Sequence, residues 1–230
     1  MRGTPEQKAE TRRRIMEAAG RLFRQHGVDA VGVDSVMHAA GLTHGGFYGH
    51  FASKEALVAE VAAAALARSA ARWGRICCDN PPDVALDRIV APYLDPAHVA
   101  DVERGCVLTT LGPEVARRPE ARPAIAASVR AMVATLERCL GGGEPAALAT
   151  LSTMVGAVVL ARLADTAELA DEILAAAKAA VPVPVIARPE GVLGLDPTQS
   201  PPSRRSDDLG ACSQEIASSG QARGPLRPSQ

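Results

Sequence analysis

An all-α protein, with a small three-helix unit leading into a larger helical body, is the fold class that three observations predict. Apolar residues recur at three- and four-residue intervals in one segment after another. No stretch shows strand or βαβ alternation. A sharp glycine turn at Gly41 joins two short helical segments in the manner of a helix-turn-helix.

The first helix is announced by Thr4-Pro5-Glu6-Gln7, where Thr4 caps, Pro5 suits the first helical position and Gln7 completes a capping box. Ile15, Ala18, Ala19, Leu22 and Phe23 then form one apolar stripe, and Gly27 stops the helix. The arginines lie mostly off that stripe. A second helix runs from near residue 33 to 40, with Val33, Val36 and Met37 inward, Asp34 and His38 outward, and Gly32 as a tolerable cap.

Gly41 can take the positive φ that ends this helix and turns into the next. Thr43 stands at the N-cap of a short helix in which Phe47 and Phe51 share the inner face, while His44, Tyr48 and, partly, His50 point elsewhere. Ser53 caps a further helix whose first turn holds Lys54 among free backbone N–H groups. A cation there opposes the helix dipole by a few tenths of a kcal/mol up to about 1, a misfit removed if an anion docks.

From Ser53 a long helix carries Leu57, Val58, Val61 and Leu66 to about residue 76 and joins the small unit to the rest. Segments 83–94, 96–104, 106–117 and 119–140 read as further helices punctuated by prolines and Gly105, and Gly141-Gly142-Gly143 breaks the last. Segment 145–163 is apolar nearly all round, so it must be buried centrally or at a subunit interface. Segment 167–180 adds one more helix. Prolines, serines and glycines without period follow, so residues 183–230 read as a disordered tail. The expected organisation is a head over 1–52, a helical body over 53–182 and the tail.

A formal charge of −1 and a pI near 6.5 give no global nucleic-acid signature, so any attraction to DNA must be local. Residues 1–28 hold seven basic side chains against three acidic ones, and four of the five histidines fall in the first fifty positions. No apolar run reads as long enough to cross a bilayer and no signal core is visible, which leads to a cytoplasmic protein with no membrane partner. Five cysteines, including Cys77-Cys78, fit neither a disulfide framework nor paired C-x-x-C zinc spacing. Reduced thiols are expected, with no metal and no cofactor.

The stretch from Arg12 to Leu57 resembles the TetR family of transcriptional repressors at Arg14-Ile15, Ala18-Ala19, Leu22-Phe23, Gly27, Ala40-Gly41, Thr43, Gly45, Phe47-Tyr48, His50-Phe51, Ser53-Lys54-Glu55 and Leu57. The resemblance implies a two-domain, nine-helix homodimer whose heads bind a palindromic DNA operator and whose bodies bind a small-molecule effector. It places Thr43, His44, Gly45 and Gly46 toward the major groove, and Tyr48, His50 and Lys54 on phosphates. Two departures stand out. Val31 and Gly32 occupy positions where the family commonly has Thr or Ser, and Met37 replaces a usual alanine at the helix crossing.

The residues themselves agree, since hydroxyl, imidazole and ammonium donors can pin a phosphate backbone while base-edge contacts specify sequence. So many glycines leave few side chains to read bases, which makes His44 the main direct reader and implies close backbone approach. Arg12 to Arg14 read either as a solvated face or as further phosphate contacts. In the body, Trp73, Tyr93, Cys106, Thr109, Met132 and Met154 could line an effector pocket, although simple core is the plainer reading for each. Cys106 after Gly105 could be a reactive thiol or an inert buried one. Few inward charges favour an apolar or aromatic effector.

The expected function is therefore a ligand-released repressor with no catalytic residues. An architectural DNA binder without effector is the alternative. A helical enzyme is disfavoured because no Walker loop, H-E-x-x-H, G-x-S-x-G or G-x-G-x-x-G occurs.

Overall fold

Thr4 closes the predicted capping box: its side-chain oxygen accepts from the Gln7 N–H at 3.3 Å, and its own N–H donates to Gln7 Oε1 at 2.9 Å. This local lock starts α1 (Pro5–His26) in a computed structural model that describes residues 4–182. The tail read from residue 183 onward lies outside the described residues. Among the described residues there is no strand. α2 (Val33–Ala39) follows, and Gly41 takes the expected positive φ of +68°.

The next segment departs from expectation. His44–Gly49 forms a 3-10 helix rather than an α-helical turn, and Thr43, at its N-cap position, makes no side-chain capping bond. Three of its six residues are glycine, which supplies no α-helical propensity to hold the wider turn. α3 (Lys54–Asp79) is capped as predicted, with Ser53 Oγ accepting from the Ala56 N–H at 3.1 Å.

The body is completed by α4 (Pro82–Tyr93), α5 (Pro96–Ala100), α6 (Val107–Thr110), α7 (Gly112–Ala116), a 3-10 turn (Pro119–Ala121), α8 (Arg122–Leu140), α9 (Gly143–Leu163) and α10 (Ala167–Ala180). Two predicted helices are cut short. Segment 96–104 ends at Ala100, where the Asp101 carboxylate takes the Arg104 N–H at 3.1 Å and diverts the chain into a turn. Segment 106–117 splits at Leu111, because Pro113 lacks the N–H that a continuous helix would need.

α3 runs against α8, α8 against α9, and α9 against α10, with α1 packed on α3, and α2 packed on α1 and the 3-10 segment. One apolar core therefore continues from Ile15, Phe23 and Phe47 through Leu57 and Leu66 to Trp73, Met132 and Met154. Met37, flagged by its size, is buried with its Cε 3.5 Å from where a Cβ on Gly46 would stand. That is ordinary contact distance, so the larger side chain is accommodated without depending on the glycine.

α9 corrects the expectation that no segment is long and apolar enough to cross a bilayer, since an 18-residue window of this 21-residue helix reaches a mean hydropathy of 1.8. The correction has a packing reason. Ala147, Leu151, Met154 and Val158 are buried between the neighbouring helices, so the apolarity serves the core on that side. Cys77, Cys106 and Cys139 are free thiols.

Arg162 of α9 ties down the α5–α6 loop. Its guanidinium donates to the Val99 carbonyl at 3.1 Å, the His98 carbonyl at 3.3 Å and Thr109 Oγ1 at 2.9 Å. A Cβ on Gly105 would come within 2.8 Å of both Arg162 Nη2 and the Asp101 carbonyl, so only glycine fits. Beneath this loop His98 Nδ1 donates to the Tyr93 carbonyl at 2.6 Å while Nε2 accepts from the Cys106 N–H at 3.2 Å, which requires the neutral ring.

Burial, then the Arg162 and Arg72 cations, hold the His98 pKa below its ordinary value, against partial opposition from the Tyr93 carbonyl and Asp101. Folding therefore favours neutral His98. Its stabilisation is complete above the unfolded value of about 6.5 and is lost as pH falls below it. Thermal melts followed by circular dichroism should show the wild type losing stability between pH 7 and 5.5, and His98→Gln losing less over the same interval. Parallel curves would show that His98 does not titrate in this way.

Candidate nucleic-acid interface

The 3-10 segment presents two opposite faces. Phe47 is fully buried, stacked on Phe51 with centroids 5.7 Å apart, and anchors the turn in the head. Tyr48, edge-on to Phe47 at 5.3 Å, stands out with 67% of its surface exposed. Thr43, His44, Gly45, Gly46 and Gly49 are exposed on the same segment.

His44 is not loose. Its Nδ1 bonds the Asp34 carboxylate across the helix-turn-helix, and its ring lies 6.3 Å from that of Tyr48. The contact fixes the imidazole orientation and leaves Nε2 facing away. By its sequence Asp34 is simply an outward residue of the second helix; nothing local signals that it orients a histidine ten positions on.

Three glycines line this face without a packing reason of their own. A Cβ on Gly45 or Gly49 would meet nothing within 4 Å, one on Gly46 would meet Met37 at ordinary contact distance, and none of the three has positive φ. The bare backbone is thus accessible to something outside the chain. Lys54 follows directly as the first residue of α3, half-buried, and is in none of the ion pairs found among the described residues. His50 is half-buried with Nδ1 lacking a partner, and burial, then the Lys8 and Arg12 cations, lower its pKa.

Arg12, Arg13 and Arg14 of α1 have internal tasks. Arg12 pairs with Glu60 of α3 and sits 4.5 Å from the centroid of Phe51, tying α1 to the start of the body. Arg13 bridges Glu10 and Glu17 along its own helix, at 2.6 and 2.5 Å. Arg14 donates to the Ala40 carbonyl at the end of α2, satisfying an acceptor that the helix terminus leaves free.

Of the six residues expected to line an effector pocket, Trp73, Tyr93 and Cys106 adjoin one another. Trp73, Met132 and Met154 are core; Tyr93, edge-on to Trp73 at 5.9 Å, borders a polar cleft of about 310 Å³. Burial, then Cys106, push the Tyr93 hydroxyl well above its usual pKa. Thr109 receives Arg162, and Cys106 is buried at the start of α6. A separate cleft of about 430 Å³ is lined by Leu66, Val107, Leu108, Val115, Ile125 and Val129, with Arg122 at its edge held on the Ala116 carbonyl at 2.7 and 3.1 Å. Sequence reading passed over these residues because each looks like ordinary core on its own helix.

A helix-turn-helix with an exposed, glycine-rich second segment, carried on an all-helical body, is the architecture of a helical DNA-binding transcriptional regulator. The family described as bacterial regulatory proteins, tetR family, matches residues 15–61. Over 101 residues the chain is 35% identical to TtgW of Pseudomonas putida, an uncharacterised HTH-type transcriptional regulator, covering 42% of this chain and 70% of that one. The HTH-type transcriptional regulator AcrR of Shigella flexneri is 40% identical over 60 residues, and SrpR of Pseudomonas putida 35% over 101; these matches span only 28% and 44% of those proteins. The fold is that of Escherichia coli NemR in its reduced form, with a TM-score of 0.63 at 22% identity over 77% of this chain and 100% of that one. A TetR-family regulator from Agrobacterium tumefaciens gives 0.62 at 20% identity over 74% and 96%. The chain belongs to the TetR family of DNA-binding transcriptional regulators.

Proposed function

We propose that this protein is a homodimeric repressor that binds a palindromic operator in the cytoplasm and leaves it when an apolar small molecule occupies the body. The observation that carries the reading is the exposed face of residues 43–49, where bare glycine backbone stands between an oriented His44, an exposed Tyr48 and the cation of Lys54. Thr43, His44, Gly45 and Gly46 meet the major groove. Tyr48, Lys54 and His50 hold phosphates, and Arg12 supports them mainly by fixing the head to α3. A phosphate at Lys54 also faces the free N–H groups of the α3 terminus, which relieves the cation's conflict with the dipole.

The dimer reading rests on apolar side chains left on the surface of α9 and α10: Leu148, Val159, Leu160, Leu163 and Leu169. Packed against the same face of a second copy they would complete a four-helix bundle and set two heads about 34–36 Å apart, one DNA turn. The apolar cleft beside α6 and α7 suits an uncharged or aromatic effector. Its walls connect directly to the head, because Glu114 of α7 accepts the Val28 N–H at 2.7 Å and Arg118 pairs with Asp29 at 3.0 Å. A ligand that moves α7 would therefore move the α1–α2 corner, and effector and operator must then oppose each other reciprocally.

Binding to the DNA upstream of its own gene, at two salt concentrations, tests the central claim. Tyr48→Ala and Lys54→Ala should each weaken binding by about tenfold, and Lys54→Ala should lower the salt slope by about 1. Unchanged affinity in both variants would remove the proposed phosphate anchors.

A further inference from the structure

A second basic site extends from Arg12 and Arg13 along α1 and α3, away from the exposed face of residues 43–49. α1 contributes Arg21 and Arg24, α3 contributes Arg68 and Arg72, and the α5–α6 loop contributes Arg104. Four of them, Arg21, Arg24, Arg68 and Arg104, line a concavity of about 520 Å³ between α1 and α3. Arg24, Arg68, Arg72 and Arg104 line an adjoining one of about 190 Å³.

None of the five is in an ion pair found among the described residues. The acids close by offset this charge only in part, because Asp101 and Glu103 act on Arg24 but two carboxylates face five guanidinium groups. Asp101 accepts the Arg104 N–H, the Glu103 carboxylate accepts from Gln25, and Glu17 is held by Arg13. Arg24 is half-buried, donates to the Glu103 carbonyl, and has its pKa held down first by burial and then by the Arg68 cation. In a chain whose net charge is −1, this is a local excess of like charge that the fold itself does not neutralise.

We propose that this groove binds a small molecule bearing a chain of linked phosphates, of the nucleoside di- or triphosphate class. Guanidinium groups match phosphate oxygens in bidentate pairs, and five of them exceed what one or two carboxylates can satisfy. A short oligophosphate delivers several charges within the span of one groove. The volume suits a compact ligand rather than a polymer. Arg68 also lies about 21 Å along α3 from Lys54, at about 1.5 Å per residue, which sets the groove apart from the row of phosphates that Lys54 would meet. Because three elements supply the arginines, a bound oligophosphate would fasten the head to the α5–α6 loop.

The test is calorimetric titration of the full chain in 150 mM potassium chloride with sodium tripolyphosphate, ATP and orthophosphate, with melting temperatures measured in parallel. Tripolyphosphate should bind saturably, one per chain, and raise the melting temperature, while orthophosphate should bind far more weakly. The double variant Arg68→Gln with Arg104→Gln alters two exposed side chains and should melt like the wild type without ligand. It should bind tripolyphosphate at least tenfold more weakly, whereas Arg130→Gln on α8 should bind it normally. Equal affinity for ATP and tripolyphosphate would assign the site to the phosphate chain alone; tighter ATP binding would add a nucleoside contact. Absence of saturable binding by both, or undiminished binding by the double variant, would overturn the proposal. So would weakened operator binding by the double variant with no oligophosphate binding by the wild type, which would make the groove part of the DNA footprint.

Discussion

Gly45→Leu is expected to fold like the wild type and to lose specific DNA binding by about a hundredfold or more, some 2.7 kcal/mol. The two halves of that result have separate causes. Gly45 lacks a positive φ, and a Cβ there meets nothing within 4 Å, so the head gains no clash. Replacing a glycine at a compatible position even favours the folded state by about 0.4–1 kcal/mol through the unfolded chain. A four-carbon side chain on the recognition face, however, would stand between the backbone and the base edges it approaches. Gly45→Ala should fall between the two. Melting curves and operator titrations on the same samples check both halves, and a Leu variant with wild-type affinity would show that this face does not meet DNA.

The second large effect is expected from Leu160→Arg combined with Leu163→Arg, which should turn a dimer into a monomer in sedimentation equilibrium and abolish operator binding with it. These side chains are 55% and 75% exposed in the single chain, so the substitution should leave the fold of the protomer intact. In an isologous interface each change occurs twice, and burying a leucine contributes about 1.5–3 kcal/mol, so about 6–12 kcal/mol of association is at stake. Gly156 on the same helix, where a Cβ would meet nothing within 4 Å, leaves room for close helix approach. A variant that stays dimeric would place the interface elsewhere.

Local signals made much of the fold legible. Thr4, Ser53 and Thr166 cap helices through bonds to the residue three positions on, and a reader of sequence needs only that spacing to place α1, α3 and α10. Thr43 shows the limit, since the same residue type at the start of the recognition turn forms no such bond. What decided the rest lies far along the chain. Arg12 and Arg14 looked like a basic face until Glu60 and the Ala40 carbonyl, 48 and 26 positions away, took them up. The apolar cleft could not be read either, because Leu66, Val107, Val115 and Ile125 come from four helices and only their convergence distinguishes a cleft from a core. The residues proposed for recognition stand out in the sequence for a different reason: the turn concentrates them within a dozen positions.

α3 runs without interruption from Lys54 at the head to Asp79 at its far end in the body. Twenty-six residues make a rod of about 39 Å. Its geometry is that of a lever whose short displacement at one end is read at the other. A tilt of about 10° pivoting near Asp79 carries Lys54 about 7 Å, roughly two base-pair steps at 3.4 Å each. In a symmetric pair the two ends would move in mirrored senses and double the change in span, so a rearrangement no larger than a repacked side chain beside α8 suffices to take two recognition turns out of phase with the helical repeat of DNA.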